Sequence, residues 1–192
     1  MAEYLVPAGF GAAELVEKRS RFIGQVWRVD SEDEARGHIA SVRQAHRDAR
    51  HNCWCYLLRS GAARSFDDGE PQGTAGSPML EVFRRGGVLD SCCVVTRYFG
   101  GVLLGAGGLT RAYGHAAKLA LQAAGTLLCT DRRTVSLRCP YRLAARVKAE
   151  AERMGGSVEG AAYAADVTMR ISVPESLADA FIACAAQYAA IL

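Results

Sequence analysis

The residues able to do chemistry in this 192-residue chain concentrate between positions 67 and 111. Two glycine-rich segments lie there, DDGEPQGTAGSP (67–78) and RYFGGVLLGAGGLTR (97–111). Glycine is retained where backbone bends oddly or approaches something closely, so two such loops carrying charge predict a functional surface. Asp67, Asp68 and Glu70 are hard oxygen ligands of the kind that suits magnesium beside phosphate, and they form a candidate ion site. The alternative is scaffolding, in which Asp-Gly makes a turn and an acid near a helix start caps amides or pairs with arginine. In the second segment Gly105, Gly107 and Gly108 expose amide donors where a helix begins, which favours an anion. Arg97, Tyr98, Phe99 and Arg111 add charge and stacking faces that fit RNA or another phosphate-bearing ligand. The alternative there has the two aromatics plugging the core while the glycines permit tight packing.

Two polar stripes extend this chemistry. Arg36, Arg43, Arg47 and Arg50 recur at helical spacing and predict one basic face, either solvated or in contact with phosphate or an acidic partner. Arg111, His115, Lys118 and Gln122 repeat in the same way on the helix that leaves the second loop.

The elements that must position these groups follow from periodicity. Residues 13–29 read as a strand pair with a turn near Arg19 and Ser20. Ser31 and Glu34 form a capping box for a helix whose apolar stripe is Ala35, Ile39, Val42 and Ala49. HNCWCYLLR (51–59) reads as a strand with Cys53 and Cys55 on one face and Trp54 and Tyr56 on the other. Ser77 and Pro78 look like the N-cap and first position of a short helix ending at Gly86 and Gly87. The run from Val88 to Thr96 is apolar enough for a central strand. A long helix to about Ala124 then buries Leu109, Ala112, Ala116, Leu119 and Ala123. After Gly125 comes a linker to Asp131. The rest has a β-α-β-β-α order resembling a ferredoxin-like sandwich without a clear final strand, its last helix burying Leu177, Phe181, Cys184 and Tyr188. The expected domains are 1–125 and 131–192.

Composition narrows the function. A net charge of +3 is too small to announce an electrostatic binder, and the 8 Lys and Arg against 7 Asp and Glu after Gly125 single out neither half. Seven cysteines, an odd number with no paired CxxC zinc spacing and no secretory leader, predict reduced and mostly buried thiols in a cytoplasmic protein. The apolar runs fall short of the ~20 residues a membrane helix needs, so a soluble chain is expected. GxSxG, HExxH and phosphate-loop signatures are absent, and His51, Cys53 and Asp67 would make a thiol site only if folding happened to align them. No catalytic residue and no obligatory cofactor is assigned.

The segments DDGEPQGTAGSP and VVTRYFGGVLLGAGGLTRAY resemble the IMPACT family in its bacterial, YigZ-like form. The likeness is specific over both loops and the elements between them, and looser over the C-terminal part. It implies an α+β protein: a two-layer α/β domain of the ribosomal-protein and elongation-factor G type, followed by a smaller ferredoxin-like domain. It also implies a link to translation. No catalytic residues come with it, so Asp67, Asp68, Gly69, Glu70, Pro71, Gly73 and Thr74 carry over as a shared surface with Arg97, Tyr98, Phe99, Gly100, Gly101, Gly105, Gly108 and Arg111. The function expected is a translation-associated regulator that binds RNA, the ribosome or a translation factor. A metal-dependent hydrolase or phosphoryl-transfer enzyme, and a protein-interaction module without nucleic acid, are the alternatives.

Overall fold

A computed structural model describes residues 3–192. The chain forms two compact units, one of residues 4–128 and one built on 129–192. In order run β1 (Glu3–Pro7), β2 (Gly11–Glu17), β3 (Ser20–Arg28), α1 (Glu32–Ala45), β4 (His51–Leu57), β5 (Ala63–Phe66), α2 (Gly76–Gly86), β6 (Ser91–Tyr98), α3 (Gly105–Ala124) and β7 (Thr126–Thr130). These are followed by β8 (Arg132–Cys139), α4 (Tyr141–Arg153), β9 (Ser157–Tyr163), β10 (Val167–Pro174), α5 (Glu175–Ala185) and β11 (Ala190–Ile191).

The first unit is built on an antiparallel sheet of order β2-β3-β6-β4-β5, with β1 and β7 paired separately. Strand alternation decides what covers each face. Phe22, Val26, Cys53, Cys55, Cys93 and Val95 point to one side and pack on α2 and α3. Trp54, Tyr56, Cys92 and Val94 point to the other and meet α1 through Ala35, Ile39 and Val42. The cysteine alternation read from HNCWCYLLR is therefore the one that folds. All seven cysteines are free thiols.

Helix α3 lies close against the sheet where alanines of its contact stripe meet glycines of the strands. A Cβ on Gly24 would sit 2.6 Å from the Ala116 carbonyl oxygen, inside any allowed contact. The buried arc of α3 is Leu109, Ala112, Tyr113, Ala116, Ala117 and Ala120. Of two residues expected inside, Leu119 is half-buried and Ala123 is exposed, because α3 packs against α2 as well as the sheet and its buried arc turns towards both. Phe22 meets Tyr113 edge-on at 5.2 Å, an aromatic pair worth about 0.5–1.5 kcal/mol beyond its buried area.

The second unit is ferredoxin-like. Its sheet runs β11-β8-β10-β9, and α4 and α5 cover one face through Val147, Ala151, Ala178, Phe181 and Ala185. The missing final strand exists as β11, only two residues long and antiparallel to β8, too short to leave a sequence pattern. On α5, Leu177 is 40% exposed and Ala178 is buried in its place. β1, β5 and β7 leave no readable pattern either, since short edge strands lack clean alternation. Among the described residues no helix is long and apolar enough to cross a membrane.

Candidate functional site

The acidic loop is built as a scaffold. Asp67 Oδ1 accepts from the amides of Ala75 (3.0 Å) and Gly76 (2.8 Å), and Oδ2 from that of Gly73 (2.8 Å). The open donors at the start of α2 are thus met from outside the helix. This displaces the expected local cap: α2 begins at Gly76 behind Ala75, not at Ser77. Asp68 Oδ2 accepts from the Asn52 amide (2.7 Å), and its Oδ1 pairs with Arg43 at 3.1 Å. Thr74 is buried and donates to the Pro71 carbonyl at 2.6 Å. Gly69 and Pro71 remain at the surface.

Glu70 turns the other way, into the protein. Its Oε1 accepts from Arg97 Nη1 at 2.6 Å and from the Tyr113 hydroxyl at 2.8 Å. The three carboxylates of the candidate magnesium site therefore serve three separate sets of donors and do not fit a shared ion. Among the described residues no group of three His, Cys, Asp or Glu side chains is placed to hold a metal.

Arg97, expected in ligand contact, is held first as a structural charge, and it also lines the cleft that the two glycine loops form. On β6 residues 93, 95 and 97 point to the face covered by α2 and α3, so Arg97 is carried inside and is only 5% exposed. Besides Glu70 it donates to Ser20 Oγ at 3.2 Å, and its guanidinium lies against the rings of Phe22 (5.5 Å) and Phe99 (5.4 Å). Its Nε is buried without a hydrogen-bond partner among the described residues. Ser20 Oγ also accepts from the Gly100 amide, and a Cβ at Gly100 would come within 2.0 Å of the Arg19 carbonyl. The exit of β6 is thereby pressed onto the β2–β3 turn. Ser20 and Tyr113 are members of this network that sequence reasoning missed. Tyr113 sits at i+4 from Leu109 on the buried stripe, which was the one available signal.

Around this network both glycine loops close on one cleft of about 320 Å³. Glu70 and Pro71 come from the first loop, Phe99, Leu103 and Gly105 from the second, with Arg50 and His51 alongside. His51 Nδ1 lies 2.8 Å from the Asp68 carbonyl, which can only accept, so Nδ1 carries the proton. Its Nε2 is 3.9 Å from Glu70. The exposed guanidinium of Arg50 lies 5.7 Å from the Phe99 ring. The first turn of α3 has no acidic residue and no side-chain cap, so its amides and the positive end of the helix dipole face outward uncompensated.

Beyond Leu104, a second cleft of about 250 Å³ flanks the same helix start and holds Lys18, Glu17, Gly108, Arg111 and His115. The Arg111 guanidinium reaches back towards Gly107. The rim between the clefts is apolar: Leu103 is 82% exposed, with Phe99 and Val102 partly so.

Other predicted contacts are not brought to this surface. Tyr98 points to the α1 side, where its hydroxyl meets His46 Nδ1 (3.0 Å) and donates to Asp48 (3.2 Å). The arginine stripe is not one helical face, because α1 ends at Ala45. The His46 carbonyl there accepts from Asn52 Nδ2, which draws the chain out of the helix. Arg36 is paired with Glu32 and Asp33, Arg43 with Asp68, and Arg47 lies in the exposed turn. Of that stripe only Arg50 lines the cleft. Lys118 lines a separate apolar cavity of about 750 Å³ with Leu5, Val82 and Leu121.

A thiol centre does not form either. Cys53 is fully buried and donates to the Asp67 carbonyl at 3.0 Å, and burial raises its pKa far above the ordinary thiol value. Burial likewise raises the Tyr113 phenol, with Cys53 and Glu70 adding to the effect. Both stay protonated at neutral pH, so Cys53 offers no thiolate.

Comparison with known proteins agrees with this architecture. Residues 18–121 match the Impact N-terminal domain, and residues 137–186 match a domain of unknown function, DUF1949. The chain is 37% identical over 173 residues to the IMPACT family member YvyE of Bacillus subtilis, covering 89% of this chain and 80% of that protein. It is 35% identical over 192 residues to the IMPACT family member YigZ of Escherichia coli, covering 98% and 94%. A crystal structure of a hypothetical protein superposes with a TM-score of 0.69 at 34% identity, over 100% of this chain and 97% of that one. With both sequence motifs and both folds matched along nearly its whole length, this chain belongs to the IMPACT family.

Proposed function

We propose that this protein is a cytoplasmic, translation-associated regulator that binds RNA, as a free structured RNA or on the ribosome, through the surface around the start of α3. The observation that carries the reading is the uncapped, acid-free first turn of α3 flanked by the exposed cations Arg50 and Arg111. Such a turn is a ready anion site, and arginines on either side extend it to successive phosphates. The link to translation is the one implied by the family resemblance.

The experiment is RNA and ribosome binding across a salt series, with Arg50→Ala and Arg111→Ala beside the wild type. Binding should weaken steeply with salt and each variant should bind less tightly. Absent or salt-insensitive binding refutes the proposal. The exposed Leu103, with Phe99 and Val102, favours a second reading in which a translation factor docks on the same rim. In that case pull-down recovers a protein after nuclease treatment, and Leu103→Ser abolishes the recovery.

A further inference from the structure

In the second unit, a nearly balanced charge count conceals a sorted surface. β8 turns Val135, Leu137 and Cys139 onto the helices and β10 turns Val167, Met169, Ile171 and Val173, so the residues between them face away. The acids go largely with the helices: Glu150 and Glu152 on α4 and Glu175 and Asp179 on α5 are ion-paired with Arg153, Lys148 and Arg133. On the opposite face, Arg138 and Arg170 are both exposed and make no ion pair among the described residues.

Their spacing is set by the sheet. Arg138 lies opposite Thr168 and Arg170 opposite Ser136, so the two arginines are diagonal neighbours about 7–8 Å apart at their bases. Arg170 extends over Gly160 of β9, where a Cβ would be 3.7 Å from its Nη2. Arg132 lies on the same face and donates to Ser172 Oγ and to the carbonyls of Ser172 and Gly155. An acid, Glu159, also lies there, accepting from Thr134 Oγ1 at 3.2 Å.

We propose that this open sheet face is a second, separate RNA-binding surface that tracks the phosphates of a single strand. The face is cationic, and the neighbours Ser136 and Thr168 carry hydroxyls that can hydrogen-bond to phosphate oxygens. By register no aromatic side chain lies on it among the described residues, and the exposed Leu192 beside Ser136 is its large aliphatic side chain, so it lacks the aromatic anchors that dominate protein–protein interfaces, which favours a phosphate backbone over an acidic protein. The same lack of aromatics removes base stacking, so binding is sequence-tolerant and strongly salt-dependent.

The test is an amide-resolved NMR titration of the full-length chain with a single-stranded oligouridine, beside the double variant Arg138→Ser/Arg170→Ser. Shifts at Ser136–Arg138 and Thr168–Arg170 are expected. The double variant should reduce the slope of log K against log salt by about 1.4, one phosphate for each arginine at about 0.7 apiece, with an unchanged melting temperature. Shifts confined to residues 99–111 overturn the sheet face while leaving the α3 surface standing. Shifts confined to the sheet do the reverse, and none anywhere overturns both. An acidic polyglutamate peptide that binds the sheet as tightly as the RNA overturns the choice of ligand.

Discussion

Arg97→Met should cost the first unit a large part of its stability, and the reason can be worked from one ion pair. Arg97 and Glu70 side chains are 6% and 4% exposed and meet at 2.6 Å. Removing one partner of such a pair leaves the other charge buried and uncompensated, at a cost of about 3–5 kcal/mol. A domain of this size has only about 5–15 kcal/mol of net stability. With a urea m-value of about 2 kcal/mol/M, the midpoint should fall by about 1.5–2.5 M. Adding Glu70→Gln removes the stranded carboxylate, so the double variant should be more stable than the sum of the two single losses by about 1–3 kcal/mol. Urea denaturation followed by tryptophan fluorescence measures all four corners of the cycle. A loss below about 1 kcal/mol for Arg97→Met, or an additive cycle, would refute the assignment of Arg97 as a structural charge. The same result bears on function, because an unfolded Arg97 variant that fails to bind RNA reports nothing about which residues touch it.

Two further outcomes follow from the same geometry. Asp67→Ala strands the amides of Gly73, Ala75 and Gly76 and should destabilise the first unit by about 1–3 kcal/mol in thermal or urea melts. Magnesium should shift the wild type and this variant equally; a shift confined to the wild type would restore the ion site. With a thiol reagent under native conditions, the partly exposed Cys129 and Cys184 should label first. The buried Cys53, Cys55, Cys92, Cys93 and Cys139 should label only on unfolding, and rapid native labelling of Cys53 would contradict its burial.

What the sequence made legible was local. The alternation in β4 and the glycine start of α3 fold as their patterns dictate, Ser31 caps α1 while Glu34 accepts from the Asp30 amide and not from that of Ser31, and the apolar run expected over 88–96 forms β6 a few residues later, at Ser91–Tyr98. What it hid depends on partners distant along the chain. Arg97 reads as an exposed loop cation until Glu70, 27 positions earlier, is found beneath the same helix. The arginine stripe reads as continuous until Asn52 and Tyr98 fasten His46 and end α1. The total of 8 cations against 7 acids after Gly125 says nothing of surfaces, because only strand register and helix placement separate Arg138 and Arg170 from the acids on α4 and α5. Both glycine loops are visible in the sequence, but their convergence on one cleft is a property of the sheet order.

The most direct test of the central claim is co-sedimentation with ribosomes, with and without nuclease, across a salt series. The wild type should sediment at low salt and be released as salt rises, with nuclease abolishing the association. Arg50→Ala and Arg111→Ala should each lower the salt slope by about 0.7–0.9 for every phosphate no longer neutralised. Sedimentation that is absent, insensitive to salt, or unchanged in both variants would contradict the account.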